Sequence, residues 1–475
     1  MSEALDGLAG APAVRAARQA LGDREDVWIV GGALRDALLG RPVVDVDLAV
    51  AGGEEGAARQ IARAAGGPAF PLSEHFDTWR AQSAGRDWHV DVTSLRGEGI
   101  EQDLGARDFT VNAIALPLAG GEPLDPHGGI RDVAARILRA ASDAAFSDDP
   151  IRILRAARLA AALELEIDQH TAELARGASE LAAEPAGERQ LAELRAIVVG
   201  SDPMRGLRLL DELGATPVVL PELDALRGVE QNPYHHLDVH GHTIEVLSRW
   251  LEIERDLAAI VGPDLADEVG SLLDEPLADE LTRRGGVRFA ALFHDLGKPA
   301  VRRVNDDGRI LFMGHDREGV EIVRAVCRRL RTSRRLSAYL ESLTLNHLRL
   351  GFLVHASPLS RREVYDYLRA TDPESVDVTL LTVADRLATQ GERTRREAID
   401  AHLDLAREMI AEALAWRRTG PPASPIRGDE LASELGIEHG PELGRLIAEI
   451  EAAVFAGEVA TRDDAIALAG ELVAR

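Results

Sequence analysis

Apolar residues recur along this chain in two rhythms, and the change from one to the other divides it. Up to about residue 140, short apolar runs (VWIV, VVDVDLAV, WHVDVTSL, VNAIALPL) alternate with helical stretches such as 54–65. That alternation predicts an α/β unit. From Pro150 the strand-like runs stop. Segments 151–163, 170–181, 188–199 and 204–213 are rich in Ala, Leu, Arg and Glu, carry apolar positions at helical spacing, and are separated by Pro or Gly. Residues 216–223 (TPVVLPEL) read as a loop-like break, and helices resume from 237 to about 411. Residues 416–425 (WRRTGPPASP) read as the clearest linker. A last helical module runs to Arg475. The expected class is α+β: an α/β head over 1–140, then an all-helical neck (141–225), a helical domain (226–415) and a helical tail (416–475).

Composition narrows the picture. At 475 residues the chain has room for two to four domains with proper cores. With 45% hydrophobic and 28% charged residues it reads as globular. The single Cys327 excludes an intramolecular disulfide or a thiolate zinc site. The start, MSEALDG, is acidic and lacks an apolar core, and no run approaches ~18 apolar residues, so neither an export signal nor a membrane span is expected. The cytoplasm follows by default. A net charge of −26 argues against a general nucleic-acid binder. Aromatics make up only 4%, so base stacking is not expected to dominate a nucleic-acid contact. Arginines nevertheless concentrate in 131–158, in 324–335 and, fewer, in 393–396. The first cluster reads as the lining of a concave anionic-ligand site. For the second, surface salt bridges and ligand contact weigh equally.

Candidate chemistry begins at residues 29–50, IVGGALRDALLGRPVVDVDLAV. A short apolar strand enters Gly31-Gly32, whose backbone can approach a ligand closely and offer N–H groups to phosphate oxygens. A helical segment with Arg35 follows, and then an apolar run with Asp45 and Asp47. Residues two apart on a strand share a face. Two carboxylates fixed side by side repel each other, and a divalent cation such as Mg²⁺ cancels that penalty. Asp91, in the alternating 89–95 run, is a third carboxylate candidate. Arg107-Asp108 opens RDFTVNA ahead of a helix-like stretch, and Arg152, Arg155 and Arg158 form one helical stripe just after Asp149.

These segments, together with DDPIR at 148–152 and a C-terminal IRGDELASELGIEHGPELGRLI, resemble the class II tRNA nucleotidyltransferases and bacterial poly(A) polymerases. The resemblance spans most of the chain. It implies a polymerase-β-like nucleotidyltransferase head and attack of an RNA 3′-hydroxyl on the α-phosphate of ATP or CTP. By it, Asp45 and Asp47 hold Mg²⁺, with Asp91 as a possible third member. Gly31, Gly32 and Arg35 hold the triphosphate, to which Arg107 adds, and Asp108 takes the ribose hydroxyl. Asp149 and Arg152 act as the amino-acid template that reads the base, and Arg155 and Arg158 assist on nucleotide or phosphate. One departure stands out. In CCA-adding relatives a flexible loop of about twenty residues follows the strand that resembles 90–96, whereas here Arg96 is followed only by GEGIEQDL and then Arg107. A shortened loop resembles A-adding specialists.

A second chemistry sits in mid-chain: His242 in HGHTIEVL, His294-Asp295 in ALFHDLGK, and Asp385 in LTVADRLATQ. Imidazoles and carboxylates on helices suit a transition metal or Mg²⁺ that activates water against a phosphate ester. The order resembles the HD phosphohydrolases, and His315 and His347 are expected to complete a larger set. His235, His236 and His240 are left unassigned. The expected activity is thus nucleotide addition to the 3′ end of tRNA, with A-addition alone favoured by the short loop, plus an HD activity of unspecified metal and substrate. A poly(A) polymerase is the alternative within the class. An HD phosphohydrolase with a nucleotide-sensing head is the alternative outside it, disfavoured because a sensor needs no catalytic metal pair.

Overall fold

The computed structural model describes residues 2–73 and 78–474. Two compact units emerge, 1–219 and 220–475. No helix among the described residues is long and apolar enough to cross a membrane.

The first unit opens with helices α1 (Ser2–Gly10) and α2 (Pro12–Leu21), ahead of β1 (Val27–Val30), α3 (Gly32–Leu38), β2 (Val46–Val50) and α4 (Glu54–Ala64). Strands β3 (Ala69–Ser73), β4 (Thr78–Gln82) and β5 (His89–Ser94), helix α5 (Ile100–Gly105) and β6 (Ala115–Pro117) complete a six-stranded sheet in the order β3-β4-β5-β2-β1-β6. Only the β2–β5 pair is parallel, and its register sets Asp47 beside Asp91. Period-two alternation sorts the sheet's faces. Ile29, Val46, Leu48, Val50, Val90 and Val92 pack under α1 to α4 in the main core. Asp47, Ala49 and Asp91 therefore point to the opposite face, where Val30, Ala49, Leu104 and Ala115 form only a small apolar cluster. Carboxylates on this thinly covered face escape burial beneath the helices, although the surrounding protein still desolvates Asp47.

Helices α6 (Gly129–Ala134), α7 (Ala145–Asp148), α8 (Arg152–Ala162), α9 (Gln169–Gly177), α10 (Gly187–Val198) and α11 (Pro203–Glu212) follow, with α8 packed on α10 and α11. Several expectations need correction. The stretch after RDFT is not helical: Thr110–Asn112 is a single 3₁₀ turn and Ala115–Pro117 is an edge strand. Strands also continue beyond Pro150, as short ribbons where Ile137–Leu138 meets Glu166–Ile167, Pro276–Ala278 meets Leu281–Thr282, and Arg303–Val304 meets Ile310–Leu311. Residues 216–223 form two short helical turns rather than a loop.

The second unit is otherwise helical. Helices Val239–Arg255, Arg283–Phe293, Arg334–Asn346 and Ser375–Ala388 pack together at its centre. The helix Arg396–Thr419 carries Trp416 as a buried residue whose Nε1 donates to Asp372 at 3.1 Å, so the linker begins at Gly420 rather than Trp416. The last three helices hold their own core around Leu431, Leu446, Ile450 and Ala465. Of the second arginine cluster, Arg324 is forked to Glu321 and Glu341, and Arg329 meets Glu222. At those two positions the structure takes the salt-bridge side.

Candidate functional site

In the first unit the β1–α3 turn brings the backbone onto the acidic face. Gly31 has φ +73°, and a Cβ there would lie 2.8 Å from Asp47 Oδ2 and 3.3 Å from Arg107 Nη1. Only glycine lets the turn pass this close. The Asp47 carboxylate is open to solvent yet walled by protein, and it has no hydrogen-bond or ion-pair partner among the described residues. Desolvation first, then Asp91, push its pKa up, opposed by Arg107, His89 and Arg155. Asp45 precedes β2 instead of lying on it. Its Oδ1 is 2.7 Å from His89 Nδ1 and also accepts from the His89 N–H at 3.1 Å. Asp91 is gripped by its cross-strand neighbour Arg80 through two bonds of 2.8 Å. Arg80 thus balances Asp91 and His89 hydrogen-bonds Asp45, which leaves Asp47 as the unpartnered carboxylate of the three among the described residues. A divalent cation fits that position.

The motif arginines prove to be fastened. Arg35 donates to Asn112 Oδ1 at 2.6 Å and to Asp36 at 2.9 Å. Asn112 in turn donates to Asp108 Oδ1 at 2.9 Å, and Arg155 pairs with Asp108 Oδ2 at 2.9 Å. Burial alone would raise the Asp108 carboxyl, but Arg155, Asn112 and the Phe109 N–H outweigh it and hold it ionised, below its usual range. Arg107 is forked onto the buried Asp103 at 2.8 and 2.9 Å. Arg152 donates to three carbonyl oxygens, those of Ala106, Arg107 and Ala145. Asp149 meets Arg189 at 2.7 Å and Arg158 meets Glu193 at 2.6 Å. The stripe is real, but its three arginines have three different partners.

The second unit gathers its histidines tightly. His242 (helix Val239–Arg255), His294-Asp295 (after Arg283–Phe293), His315 (first residue of His315–Arg329), His347 (after Arg334–Asn346) and Asp385 (in Ser375–Ala388) converge. His242 Nε2 lies 2.9 Å from Asp385 Oδ1 and 3.7 Å from Asp295 Oδ2, while His294 Nε2 lies 3.1 Å from Asp295 Oδ2. On the other side Asp295 Oδ1 is 3.4 Å from His315 Nε2 and 3.8 Å from His347 Nε2. Asp295 therefore joins two ligand groups. Gly297 lets the His-Asp-Leu-Gly turn rest on the start of His315–Arg329, where a Cβ would strike the backbone of His315 and Gly319.

Second contacts orient the imidazole rings. The Nδ1 atoms of His294, His315 and His347 sit 2.9, 2.7 and 2.6 Å from carbonyl oxygens three residues back. For His347, which burial keeps neutral, this places the proton on Nδ1 and turns the Nε2 lone pair into the cluster. His315 Nε2 and His347 Nε2 face each other 3.2 Å apart. His294 Nε2 and both Asp295 oxygens complete no directed hydrogen bond, although Lys298 Nζ stands 2.6 Å from Asp295 Oδ2. Imidazole nitrogens and buried carboxylate oxygens gathered this closely form a donor set that fits a metal. Burial, then His294 and His315, push His347 down to about 3. For Asp295, His294 and Lys298 overcome burial and hold the carboxylate well below its usual range.

Reading the sequence alone missed His89, Arg80, Asn112 and Asp103 in the first unit and His402 in the second. Asn112 stood within RDFTVNA and Lys298 within HDLGK, so those two strings held the signal. Nothing local marked Arg80 or His402, whose roles come from strand pairing and helix packing.

Three family models match: the poly A polymerase head domain over residues 27–139, a probable RNA and SrmB-binding site of polymerase A over 164–227, and the HD domain over 239–390. The A-adding tRNA nucleotidyltransferase of Deinococcus radiodurans is 34% identical over 92% of this chain and 93% of its own length. The CC-adding tRNA nucleotidyltransferase of Thermus thermophilus is 33% identical over 93% of this chain and 92% of its own. Among solved structures, the Thermotoga maritima CCA-adding enzyme complexed with tRNA aligns with a TM-score of 0.59 at 19% identity, covering 99% of this chain and 98% of that one. That likeness shows a shared fold. With relatives this similar across nearly its whole length, the chain belongs to the tRNA nucleotidyltransferase family with a poly(A) polymerase-type head and an HD domain.

Proposed function

We propose that the chain adds a nucleotide to the 3′ end of tRNA, and that this nucleotide is A. The carrying observation is the placement of Asp47 beside Asp91 and beneath Gly31, on the uncovered face of the sheet. Asp45 and Asp47 would hold Mg²⁺, which supplies charge neutralisation at the α-phosphate when bound. Asp91, steadied by Arg80, adds the third carboxylate of that face. The Gly31-Gly32 backbone and Arg35 hold the triphosphate, and Asp108, kept ionised by Arg155, accepts from the ribose hydroxyl. The RNA 3′-oxygen attacks the α-phosphorus and pyrophosphate leaves.

Specificity for a single base follows from rigidity, and the short stretch between Arg96 and Arg107, which resembles A-adding specialists, favours A. Of the five N–H donors on the Arg152 guanidinium, three are spent on carbonyls, two of them at the end of the α5 segment. That segment is itself pinned, because Asp103 accepts from the Arg96 N–H at 3.3 Å and from Arg107. A fixed guanidinium offers one donor pattern, whereas reading both C and A needs it re-aimed. ATP and CTP, radiolabelled and offered separately to tRNAs truncated at each 3′ position, test this. The expected product is one A on tRNA ending in CC. Two C residues followed by A would restore full CCA addition, C residues alone would make the chain a CC-adder, and a long A tract would make it a poly(A) polymerase.

The HD cluster supports a second reaction, hydrolysis of a phosphate ester at a divalent metal site held by His242, His294, Asp295 and Asp385 with His315 and His347. The convergence of His315 and His347 on Asp295 favours it.

A further inference from the structure

A cavity of about 820 Å³ opens on Asp295, and a wall of it lies beyond the ligand cluster. Helices Ser375–Ala388 and Arg396–Thr419, which pack against each other, contribute Arg386 and His402 to that wall. Elsewhere in this unit part-buried arginines are engaged: Arg288 forks onto Glu254, Arg283 onto Asp377, and Arg407 donates to the carbonyls of Ala259 and Ile260. Arg386 is different. Its Nε is buried with no hydrogen-bond partner, and no carboxylate or carbonyl takes its guanidinium among the described residues. His402 is 4% exposed and its Nε2 is likewise buried and unpartnered. The nearby hydroxyls do not help, since Thr382 Oγ1 donates to Thr379 O at 2.7 Å and Thr389 Oγ1 to Asp385 O at 2.9 Å.

Leaving desolvated donors unsatisfied is costly, and in an acid-rich chain a carboxylate partner was readily available. An incoming anion is the partner these groups lack. Arg386 lines the same cavity as Asp295, Asp385, His315 and His347, so an anion held by Arg386 lies in the space onto which the histidine–carboxylate cluster opens. A planar guanidinium suits two oxygens of one phosphate group, and a neutral imidazole adds a further donor.

We propose that Arg386 and His402 form an oxyanion subsite of the HD cavity, which grips the non-bridging oxygens of a phosphate ester. The proposal rests on the phosphohydrolase reading of that site, and Arg386 and His402 are binding residues within it.

The test uses the full chain, with inorganic phosphate as the probe in isothermal titration before and after Mn²⁺ loading, and metal content measured in parallel. Phosphate binding at the other unit is common to all variants and cancels in the comparison. Arg386→Gln should weaken phosphate binding roughly 10- to 100-fold, the loss expected for charge-assisted hydrogen bonds, while Mn²⁺ content stays at the wild-type level. Arg386→Lys should recover part of the loss, and His402→Gln should weaken binding less. Wild-type phosphate affinity in a folded Arg386→Gln protein would overturn the subsite. So would loss of Mn²⁺ in step with phosphate, which would mean that Arg386 acts only through the ligand set. Failure of the parent reading looks different: His294→Ala would bind as much Mn²⁺ as the wild-type protein, which would leave bis(p-nitrophenyl) phosphate intact, while the metal-free titration still decides on Arg386.

Discussion

Replacing Gly31 with alanine tests whether the β1–α3 turn exists to bring backbone onto Asp47, the carboxylate proposed to be catalytic. Two separate effects are expected. Gly31 has φ +73° and ψ −138°, a region where a side chain costs ~1–3 kcal/mol of strain. In addition, the new Cβ would stand 2.8 Å from Asp47 Oδ2, inside van der Waals contact, so the carboxylate must move. A misplacement of about 1 Å at a reacting group can cost roughly 10²-fold in rate. Gly31→Ala should therefore lose about that factor in single-turnover addition of A, along with the strain energy in the unfolding of the first unit. Gly40→Ala separates the two effects. Gly40 also has a positive φ, +69°, but a Cβ there meets nothing within 4 Å, so this variant should lose stability and keep its rate. If Gly31→Ala added A at nearly the wild-type rate, Asp47 would not be doing what its position implies.

Other consequences are equally direct. Asp47→Asn should abolish nucleotide addition yet raise the melting temperature at neutral pH. The raised folded-state pKa of Asp47 favours folding below the unfolded value near 3.8 and is lost as pH rises through the folded one, so the variant's advantage should fade as pH falls towards 3.8; a pH-independent difference would refute this. His294→Ala should lower bound metal, read by elemental analysis, while A-addition continues; unchanged metal content would sink the HD assignment. Asp377→Ala leaves Arg283 buried without its carboxylate and Tyr339 Oη without its 2.7 Å acceptor, so denaturant unfolding of the second unit should lose ~3–5 kcal/mol. An unchanged midpoint would count against it.

The fold was legible where a periodicity met no competing tertiary demand. Val27–Val30 reads as an apolar run and is a strand, and 54–65 reads as amphipathic and is the helix Glu54–Ala64. The failures have physical causes. VNAIALPL reads both as an apolar run and as helix-like; Ala115–Pro117 is a strand, because hydrogen bonding to β1 overrides the weak helix preference of alanine and leucine. Trp416 lies next to a Gly-Pro-Pro segment and looked like linker. It is instead covered by Tyr365 and Phe455, a cluster between helices distant in sequence that no local window contains.

Sites divide along the same line, and the division bears on how the chemistry is controlled. Motif strings identified the charged groups, because Asp45, Asp47, Asp108, Arg152, His294 and Asp295 each stand in a short recognisable context. What strings do not carry is what each group is bonded to. Arg152 was expected to read a base, yet it spends three donors on carbonyls, two of them in the short segment after Arg96. That segment therefore supplies two of the three acceptors that hold the arginine in place. In the same way, Arg80 is an ordinary strand residue until the β4–β5 register places it across from Asp91. The identity of the acids sets which reaction is possible, while these partners, contributed by neighbouring strands and turns, set how rigidly it is aimed. If Asp149 and Arg152 read the base, specificity in this chain is thus expected to change more readily at Asp103 or Ala106, which hold the segment and the arginine in place, than at that pair itself.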